Sequence, residues 1–283
     1  MNYRHAYHAG NFADVFKHIV LMRVIEYLKG KDKAFRVIDT HAGPGLYDLA
    51  GEEAGKTGEW REGIARLIAN PPGGEAGVLM RPYLELVAGA DFVPANRYPG
   101  SPLIARRLLR RQDRLTAIEL HPSDSERLKA LFEGDHQVRV IHLDGWLAPG
   151  AQLPPKEKRG LMLIDPPFEQ PGEFDRLAEA LETGWKRWPG GVFLAWYPVK
   201  NRAQIEAFRA RLRTGPVRDA VDITISVADT KPGAEPSFDG CGIVAVNAPW
   251  TLAGEMRTIM TAIAPVLARA GKGGFSIERL TAE

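Results

Sequence analysis

Four short apolar segments of this chain each run into a carboxylate, and this pattern constrains the fold more than any other feature. The segments cover residues 35–39, 115–119, 138–142 and 161–165, and helical patterns separate them. Near-continuous apolar strands joined by helices are typical of a parallel sheet that is covered on both faces. The acids at or just beyond the strand ends are Asp39, Glu119, Asp144 and Asp165. Because ligands bind beyond the carboxyl ends of such strands, we predict that these acids line one site.

The remaining segments extend this α/β pattern. Residues 191–197 predict a fifth strand, and 221–227, 242–247 and 275–280 are further candidates whose place in the sheet the sequence leaves open.

Helix signals occupy the intervening segments. Residues 11–28 read as an amphipathic helix, and a second helix is expected near 252–270. Ser101 before Pro102 reads as an N-cap, and Ser123 with Glu126 reads as a capping box.

The spacing of the acids indicates an insertion after the first strand. Asp39 and Glu119 lie 80 residues apart, whereas one βαβ step needs about 30 residues. Helix-like stretches near 59–69 and 78–90 fill the gap, on either side of a Pro- and Gly-rich break. We therefore predict one domain over residues 1–283 with a small helical insertion at approximately 47–100.

Composition excludes several classes of protein. The 283 residues are 45% hydrophobic with a net charge of +2, which excludes a disordered chain. A single cysteine, Cys241, excludes a disulfide framework and a Cys-based zinc site. The spacing of His5, His8 and His18 predicts no metal site either. No apolar run approaches the roughly 18 residues of a membrane span, and the first residues lack a signal-peptide core, so we expect a cytoplasmic protein.

Two clusters of basic residues leave two interpretations open. Each could hold phosphates or could be the solvated face of a helix. The clusters comprise Arg106, Arg107, Arg110, Arg111 and Arg114, and then Lys200, Arg202, Arg209, Arg211 and Arg213.

The turn after the first strand suits a small ligand. Asp39 is followed by Gly43-Pro44-Gly45, where glycines allow a tight turn and a close approach of the backbone. The complete dinucleotide fingerprint is absent because position 48 is Asp. An acid before a Gly-x-Gly turn fits the amino-acid part of S-adenosylmethionine. The same residues would also suit an ordinary strand-to-helix turn that binds no ligand. Glu119 could accept bonds from ribose hydroxyls, and Asp144 could accept one from an adenine amine or be a simple turn residue.

The most specific motif is Asp165-Pro166-Pro167-Phe168, directly after an apolar strand. Two prolines fix an extended turn and leave carbonyl groups without helical partners. The Asp165 carboxylate and the Pro166 carbonyl could accept both hydrogens of an exocyclic amine and align its nitrogen for attack on a methyl group. Phe168 would stack on an extruded base.

This motif resembles the [Asp/Asn/Ser]-Pro-Pro-[aromatic] signature of S-adenosylmethionine-dependent amino-methyltransferases, which modify adenine N6, cytosine N4 or glutamine N5. The wider sequence is similar to bacterial 23S rRNA adenine-N6 methyltransferases of the RlmJ type, from Tyr3 to Trp250. The matching blocks lie at 3–5, 8–18, 39–43, 98–105, 119–124 and 196–198.

The resemblance implies a Rossmann-like class I methyltransferase with a mostly parallel seven-stranded sheet, helices on both faces and a helical insertion. It implies S-adenosyl-L-methionine as methyl donor, no metal, and 23S rRNA as the partner. Carried over by motif, the cofactor-binding residues would be His18, His41, Ser101, Glu119, Asp144, Gly145 and Asp165. Asp165 would also be catalytic, and the base or its RNA would contact Tyr3, Pro166, Pro167 and Phe168. Pro44 departs from the small residue that the family often has in this turn.

Several alternatives stay open beside this reading. The same chemistry could act on DNA adenine N6 or cytosine N4, whereas glutamine-directed enzymes typically carry Asn where this chain has Asp165. A non-catalytic RNA-binding protein on the same fold is a further alternative. We expect a monomer, because no feature of the sequence requires a dimer.

Overall fold

A single sheet of eight strands organises the computed structural model, which describes residues 5–228, 238–269 and 273–282. Its strand order is β10-β8-β9-β7-β6-β1-β4-β5, and β2 pairs with β3 in a separate antiparallel ribbon. The strands are β1 (Arg36–Asp39), β2 (Leu46–Asp48), β3 (Arg97–Pro99), β4 (Arg114–Glu119), β5 (Val138–His142), β6 (Gly160–Ile164), β7 (Val192–Pro198), β8 (Ala220–Ser226), β9 (Gly240–Val246) and β10 (Gly274–Thr281).

The expected α/β architecture is confirmed, but the expected count of seven strands is wrong. Strands β5, β4, β1, β6 and β7 run parallel, whereas β9, β8 and β10 add antiparallel pairings. The eighth strand, β10, covers the edge that β8 would otherwise expose. An unpaired edge invites pairing with another chain, so the additional strand protects the sheet.

Helices pack on both faces of this sheet. The helices are α1 (Phe12–Lys29), α2 (Glu52–Thr57), α3 (Ile64–Ala69), α4 (Gly74–Val87), α5 (Ser101–Leu108), α6 (Pro122–Leu131), α7 (Ala148–Ala151), α8 (Glu173–Arg187), α9 (Arg202–Thr214) and α10 (Leu252–Leu267). One apolar core contains residues of α1, α4, α5 and α10, and the other contains residues of α8 and α9.

Helix α1 differs from its sequence-based description. Val20, Leu21 and Val24 are fully buried together with Ile19 and Met22, so buried side chains point to more than one side of the helix. Helices α4, α5 and α10 contact α1, so its second side is covered as well. The prediction of an amphipathic helix is therefore wrong, although its bounds are nearly correct.

Two predicted helix caps are also wrong. Gly100 is the N-cap of α5, so Ser101 is already helical. His121 is the N-cap of α6, and Pro122 is the first helical residue, so Ser123 and Glu126 form no capping box.

Along the chain, helices α2, α3 and α4 follow β2 and precede β3, within the stretch predicted as an insertion. Helices α3 and α4 also contact α10 near the end of the chain. The assignment of one methyltransferase domain with an insertion subdomain stays a prediction.

The position of β1 determines where a ligand can bind. The chain passes from β1 to β4 and β5 on one side, and then crosses to β6 and β7 on the other. Strand order reverses beside β1, and crevices form outside the carboxyl ends of strands at such a point. Within the described part of the chain, no helix has the length and apolar character needed to cross a bilayer.

Candidate active site

A cavity of about 400 Å³ opens at the carboxyl ends of the parallel strands. Its volume falls in the range of small-molecule sites, roughly 300–1,000 Å³. Every described site residue that the family resemblance implies lines it: His18, His41, Ser101, Glu119, Asp144, Gly145, Asp165, Pro166, Pro167 and Phe168. Tyr3 lies outside the described residues. The structure thus brings ten predicted residues together, while their individual roles stay predictions.

Glycines shape the turn between β1 and β2. Gly43 and Gly45 have φ angles of 61° and 80°, in the left-handed region that favours glycine. A Cβ on Gly43 would lie 2.4 Å from the Tyr47 hydroxyl, and one on Gly45 would lie 2.6 Å from Leu131. The turn therefore accepts no side chain at either position, and its backbone can approach a ligand.

Glu119, at the end of β4, accepts a hydrogen bond from this turn. One carboxylate oxygen accepts the Gly43 N–H at 2.7 Å, and the other accepts the His121 N–H at 2.6 Å. Burial raises the pKa of Glu119 above its usual value. Each oxygen keeps a further lone pair, so a ligand hydroxyl could still donate to this carboxylate.

Asp144 occupies the next strand end. Its Oδ1 accepts the Trp146 N–H at 3.0 Å and caps a short 3-10 helix, whereas Oδ2 lies 3.7 Å from the Arg176 guanidinium. Gly145 is required beside it, because a Cβ would lie 2.0 Å from the Thr40 carbonyl.

His41 and Trp146 form a second side of the cavity. Their rings meet edge to face with centroids 5.3 Å apart, and Thr40 Oγ1 lies 2.7 Å from His41 Nδ1. Burial lowers the pKa of His41 to about 4, so the ring is neutral at pH 7.

Asp165 is held by an ammonium group from a distant part of the chain. The Lys17 Nζ lies 2.5 Å from Asp165 Oδ2 and 2.9 Å from Asp14 Oδ1. Asp14 also contacts His5 Nε2 at 3.0 Å and accepts the Gly10 N–H at 2.9 Å. One cation therefore joins two carboxylates at the base of the cavity.

The ionisation states in this cluster follow from its charges. Burial opposes both charged forms, but His5 and Lys17 hold the pKa of Asp14 well below its usual value. Asp14 and Asp165 together raise the pKa of Lys17 above its usual value despite burial. Lys17 is thus a permanent cation at neutral pH, positioned against Asp165.

Aromatic side chains enclose the Asp-Pro-Pro-Phe turn. Phe168 has a φ of 52°, which turns its side chain towards Phe174 and Trp196. Its ring lies 4.9 Å from Phe174 and 5.9 Å from Trp196, both in edge-to-face contacts. A non-glycine residue in this region is uncommon and strained, and such positions cluster at ligand sites.

His18 ends a chain of buried polar groups. Its Nδ1 lies 2.7 Å from the Tyr98 hydroxyl, which lies 3.0 Å from the Tyr83 hydroxyl. Its Nε2 is buried and lacks a hydrogen-bond partner among the described residues, although His18 lines the cavity. Burial lowers the pKa of His18 to about 3, so the ring is neutral. An unsatisfied buried polar atom at a cavity fits a site that a polar ligand completes.

The prediction that Asp39 lines the site with the other three acids is wrong, because Asp39 is buried and is not among the residues that line the cavity. Burial raises its pKa to about 7, opposed in part by the Ser101 hydroxyl. Its proximity to Asp165 raises the pKa further, because two carboxylates at one site cannot both ionise freely.

Several residues at this site had no role predicted from the sequence. Lys17, Asp14, Trp196 and Phe238 all line the cavity. The signal for the first pair was present, since Asp14 and Lys17 stand three residues apart on one helix. Their partner Asp165 is 148 residues away, and no local pattern indicates that contact.

The overall charge of the cavity lining is negative. Three cations, Lys17, Arg176 and Lys200, face eight carboxylates. The carboxylates are Asp14, Glu59, Glu119, Asp124, Asp144, Asp165, Glu169 and Glu173. Among the described residues, no group of three or more His, Cys, Asp or Glu side chains has an arrangement that could hold a metal ion.

Known proteins resemble this chain over its full length. A protein of Haemophilus influenzae named ribosomal RNA large subunit methyltransferase J is 40% identical over 286 residues, covering 100% of both chains. The Escherichia coli protein of the same name is 38% identical, also over 100% of both. A crystal structure of a Legionella pneumophila protein, 34% identical, matches with a TM-score of 0.86 over 96% of this chain and 98% of that one.

A family profile gives the same result. Residues 32–281 match the family described as "Ribosomal RNA large subunit methyltransferase D, RlmJ", which covers both the sheet and the Asp-Pro-Pro-Phe turn. The fold and the family imply S-adenosyl-L-methionine as the methyl donor. With its full-length relatives and its strand-end carboxylates, the chain belongs to the RlmJ family of ribosomal RNA large subunit methyltransferases.

Proposed function

We propose that this protein transfers a methyl group from S-adenosyl-L-methionine to the N6 amine of an adenine in 23S ribosomal RNA. The observation that carries the proposal is the Asp165-Pro-Pro-Phe168 turn at the end of β6, which faces the same cavity as Glu119 and Asp144. We further propose that it acts in the cytoplasm as a monomer.

The donor would fit one side of the cavity. The Gly43–Gly45 turn offers a backbone surface that no side chain blocks, Glu119 keeps free acceptor lone pairs, and Asp144 lies at the next strand end. His18 Nε2 supplies a further polar contact. When bound there, S-adenosyl-L-methionine supplies an electrophilic methyl group.

Asp165 would act on the acceptor amine. A carboxylate is too weak a base to remove a proton from a neutral adenine amine in advance. Asp165 would therefore orient the amine, together with the Pro166 carbonyl, and accept its proton during or after methyl transfer. Holding the nitrogen in line with the methyl group is itself a large rate effect.

Lys17 would keep Asp165 in position. Its ammonium contacts both the buried carboxylate of Asp14 and the partly exposed carboxylate of Asp165, so it would fix one Asp165 oxygen and leave the other for the substrate.

The base would occupy the aromatic side of the cavity. Phe168 and Trp196 present ring surfaces there, and base–aromatic stacking contributes on the order of 1–3 kcal/mol per base. Extruding a base from a paired strand costs a few kcal/mol, so these contacts would offset much of that cost.

The test is methyl transfer from labelled S-adenosyl-L-methionine to unmodified 23S rRNA, followed by nucleoside analysis of the product. We expect N6-methyladenosine. Parallel reactions with duplex DNA and with a protein pool distinguish the other acceptors that use this motif. Labelled DNA together with unlabelled rRNA would overturn the proposed substrate.

A further inference from the structure

Each of the four parallel strands that carries an acid towards the cavity also has an arginine at its opposite end. Strands β1 and β4 begin at Arg36 and Arg114, Arg139 is the second residue of β5, and Arg159 directly precedes β6. Parallel strands place their amino ends at one edge of the sheet, so these arginines share the side of the molecule that faces away from the cavity.

The loops at this edge add further cations. Segments 29–36, 110–114, 135–139, 152–159 and 186–187 hold thirteen lysines and arginines but four carboxylates, a formal balance of +9. The whole chain has a net charge of +2, so this surface is far more basic than the rest of the molecule. We call these five segments the basic pole.

Hydrogen bonds join the segments of the basic pole into one surface. The Arg110 guanidinium donates to the carbonyls of Lys29, Lys31 and Lys33. Arg159 also donates to the Lys33 carbonyl at 3.1 Å. Segment 152–159 is joined to α8 in turn, because Arg187 donates to the Leu153 carbonyl and Trp188 to that of Lys158.

Most cations of the basic pole form no ion pair within 4.0 Å among the described residues. Lys29 pairs with Glu26, Arg36 with Glu157, and Arg110 with Asp113. Ten other cations lie more than 4.0 Å from every carboxylate of the described residues: Lys31, Lys33, Arg111, Arg114, Arg139, Lys156, Lys158, Arg159, Lys186 and Arg187.

Two guanidinium groups of the pole contact the same aromatic ring. Arg110 and Arg159 both lie over the Phe35 ring, 5.5 and 5.9 Å from its centroid. Burial and the nearby charge of Arg110 lower the pKa of Arg159 below its usual value. An anion that binds near both groups reduces such repulsion.

We propose that the basic pole binds the phosphate backbone of the RNA substrate, at a segment distant from the adenine in the cavity. Arginine forks match phosphate geometry, and a groove of about 460 Å³ lined by Arg36, Arg114, Arg139 and Lys156 runs across this surface. The cavity itself carries eight carboxylates against three cations and repels phosphates. Since phosphate contacts dominate RNA affinity, the affinity must come from elsewhere on the protein.

The separation of the two surfaces determines which part of the RNA is bound. A strand of five residues spans roughly 17 Å, and the loops at its ends add to this distance. One nucleotide cannot reach both surfaces, so the pole binds a second stretch of a folded RNA. This inference rests on the proposed RNA substrate and adds a second contact surface to it.

The test compares two triple variants with wild-type protein in RNA binding and methyl transfer. The first neutralises exposed cations of the pole through Lys33→Gln, Arg139→Gln and Lys156→Gln. The matched control neutralises exposed cations elsewhere through Arg81→Gln, Lys129→Gln and Arg257→Gln. Binding to unmodified 23S rRNA is measured from 50 to 300 mM salt, and methyl transfer is measured at limiting and saturating RNA.

We expect the pole variant to bind RNA on the order of 10-fold or more weakly at 0.1 M salt. The slope of the logarithm of the binding constant against the logarithm of the salt concentration should be smaller in magnitude by about 2. Its KM for RNA should rise while kcat at saturating RNA is retained. Equal effects in both variants, or an unchanged slope in the pole variant of an active enzyme, would overturn the inference. Absence of rRNA methylation by wild-type protein would instead count against the proposed function, so the two failures are distinguishable.

Discussion

The two ends of the same parallel strands have opposite chemistry. At the carboxyl ends, Glu119 and Asp165 are buried or nearly so, and each is held by defined hydrogen bonds or an ion pair. At the amino ends, Arg139 and Lys156 are exposed and have no carboxylate partner among the described residues. Burial fixes the position of a carboxylate and shifts its pKa. An exposed cation stays in solvent, where it can attract an anion without a fixed geometry.

This difference separates two tasks that RNA modification requires. The acidic end can orient a reacting amine but repels a phosphate backbone. The basic end attracts phosphates from many sequences but holds no group near the reaction. If the comparison is correct, substitutions at the acidic end change the chemical step or stability, and those at the basic end change RNA affinity and its salt dependence.

The largest effect is expected from Asp165→Ala. Loss of the acceptor carboxylate should lower kcat for methyl transfer by about 10²- to 10⁴-fold, the range of general acid–base catalysis. Affinity for S-adenosyl-L-methionine, measured by calorimetry, should change far less. The control is Asp175→Ala on the exposed surface of α8, which should keep full activity. An active Asp165→Ala enzyme would exclude the proposed role.

Lys17→Met should chiefly lower stability. The substitution leaves Asp14 and Asp165 facing each other without their cation, and removing one partner of a buried ion pair typically costs 3–5 kcal/mol. Urea unfolding should show this loss. Lys17→Arg keeps the charge and should recover part of the stability. Equal unfolding free energies for Lys17→Met and wild type would contradict the shared ion pair.

Asp39→Asn tests the buried carboxyl through pH. Its native pKa is raised to about 7 by burial, whereas an unfolded Asp titrates near 3.9. Below about pH 4 both states hold the proton, and the stability contribution of Asp39 is complete. As pH rises to 7, the unfolded state releases its proton first, so stability falls by about 2–4 kcal/mol.

The Asp39→Asn variant should lack this decline. Urea unfolding between pH 4.5 and 8 would show a flatter profile than wild type, while exposed Asp91→Asn would follow wild type. Parallel profiles for Asp39→Asn and wild type would mean that Asp39 ionises normally in the folded protein.

The acids at the carboxyl ends of the strands could be predicted from the sequence, because each one ends or closely follows a short apolar segment. Apolar strands that end in acids indicate where the acids converge, and β5 has the predicted bounds. The contact between Lys17 and Asp165 could not be predicted in this way, since it joins residues 148 positions apart. The burial of α1 on more than one side has the same cause, because α4 and α10 cover it from distant parts of the chain.

The two basic clusters had the same appearance in the sequence, and in the structure each contains both ion-paired and unpaired cations. In the cluster on α9, Arg211 meets Glu182 at 2.9 and 3.0 Å, Arg213 meets Glu278 at 2.7 Å, and Arg209 meets buried Asp222. These guanidinium groups are already neutralised. In the other cluster Arg106 and Arg110 are paired as well, with Asp135 and Asp113, whereas Arg111 and Arg114 have no carboxylate within 4.0 Å among the described residues.

The smallest effect is therefore expected from the double variant Arg211→Gln, Arg213→Gln. Removing cations that carboxylates already neutralise exposes those carboxylates but takes away no free positive charge. RNA affinity should stay within about two-fold and the salt slope within about 0.5, because few counterion-releasing contacts are lost. Partly exposed pairs contribute about 1 kcal/mol or less each to stability. A slope reduced as far as in the pole variant would mean that α9 also binds the backbone, and the contrast between paired and unpaired arginines would fail.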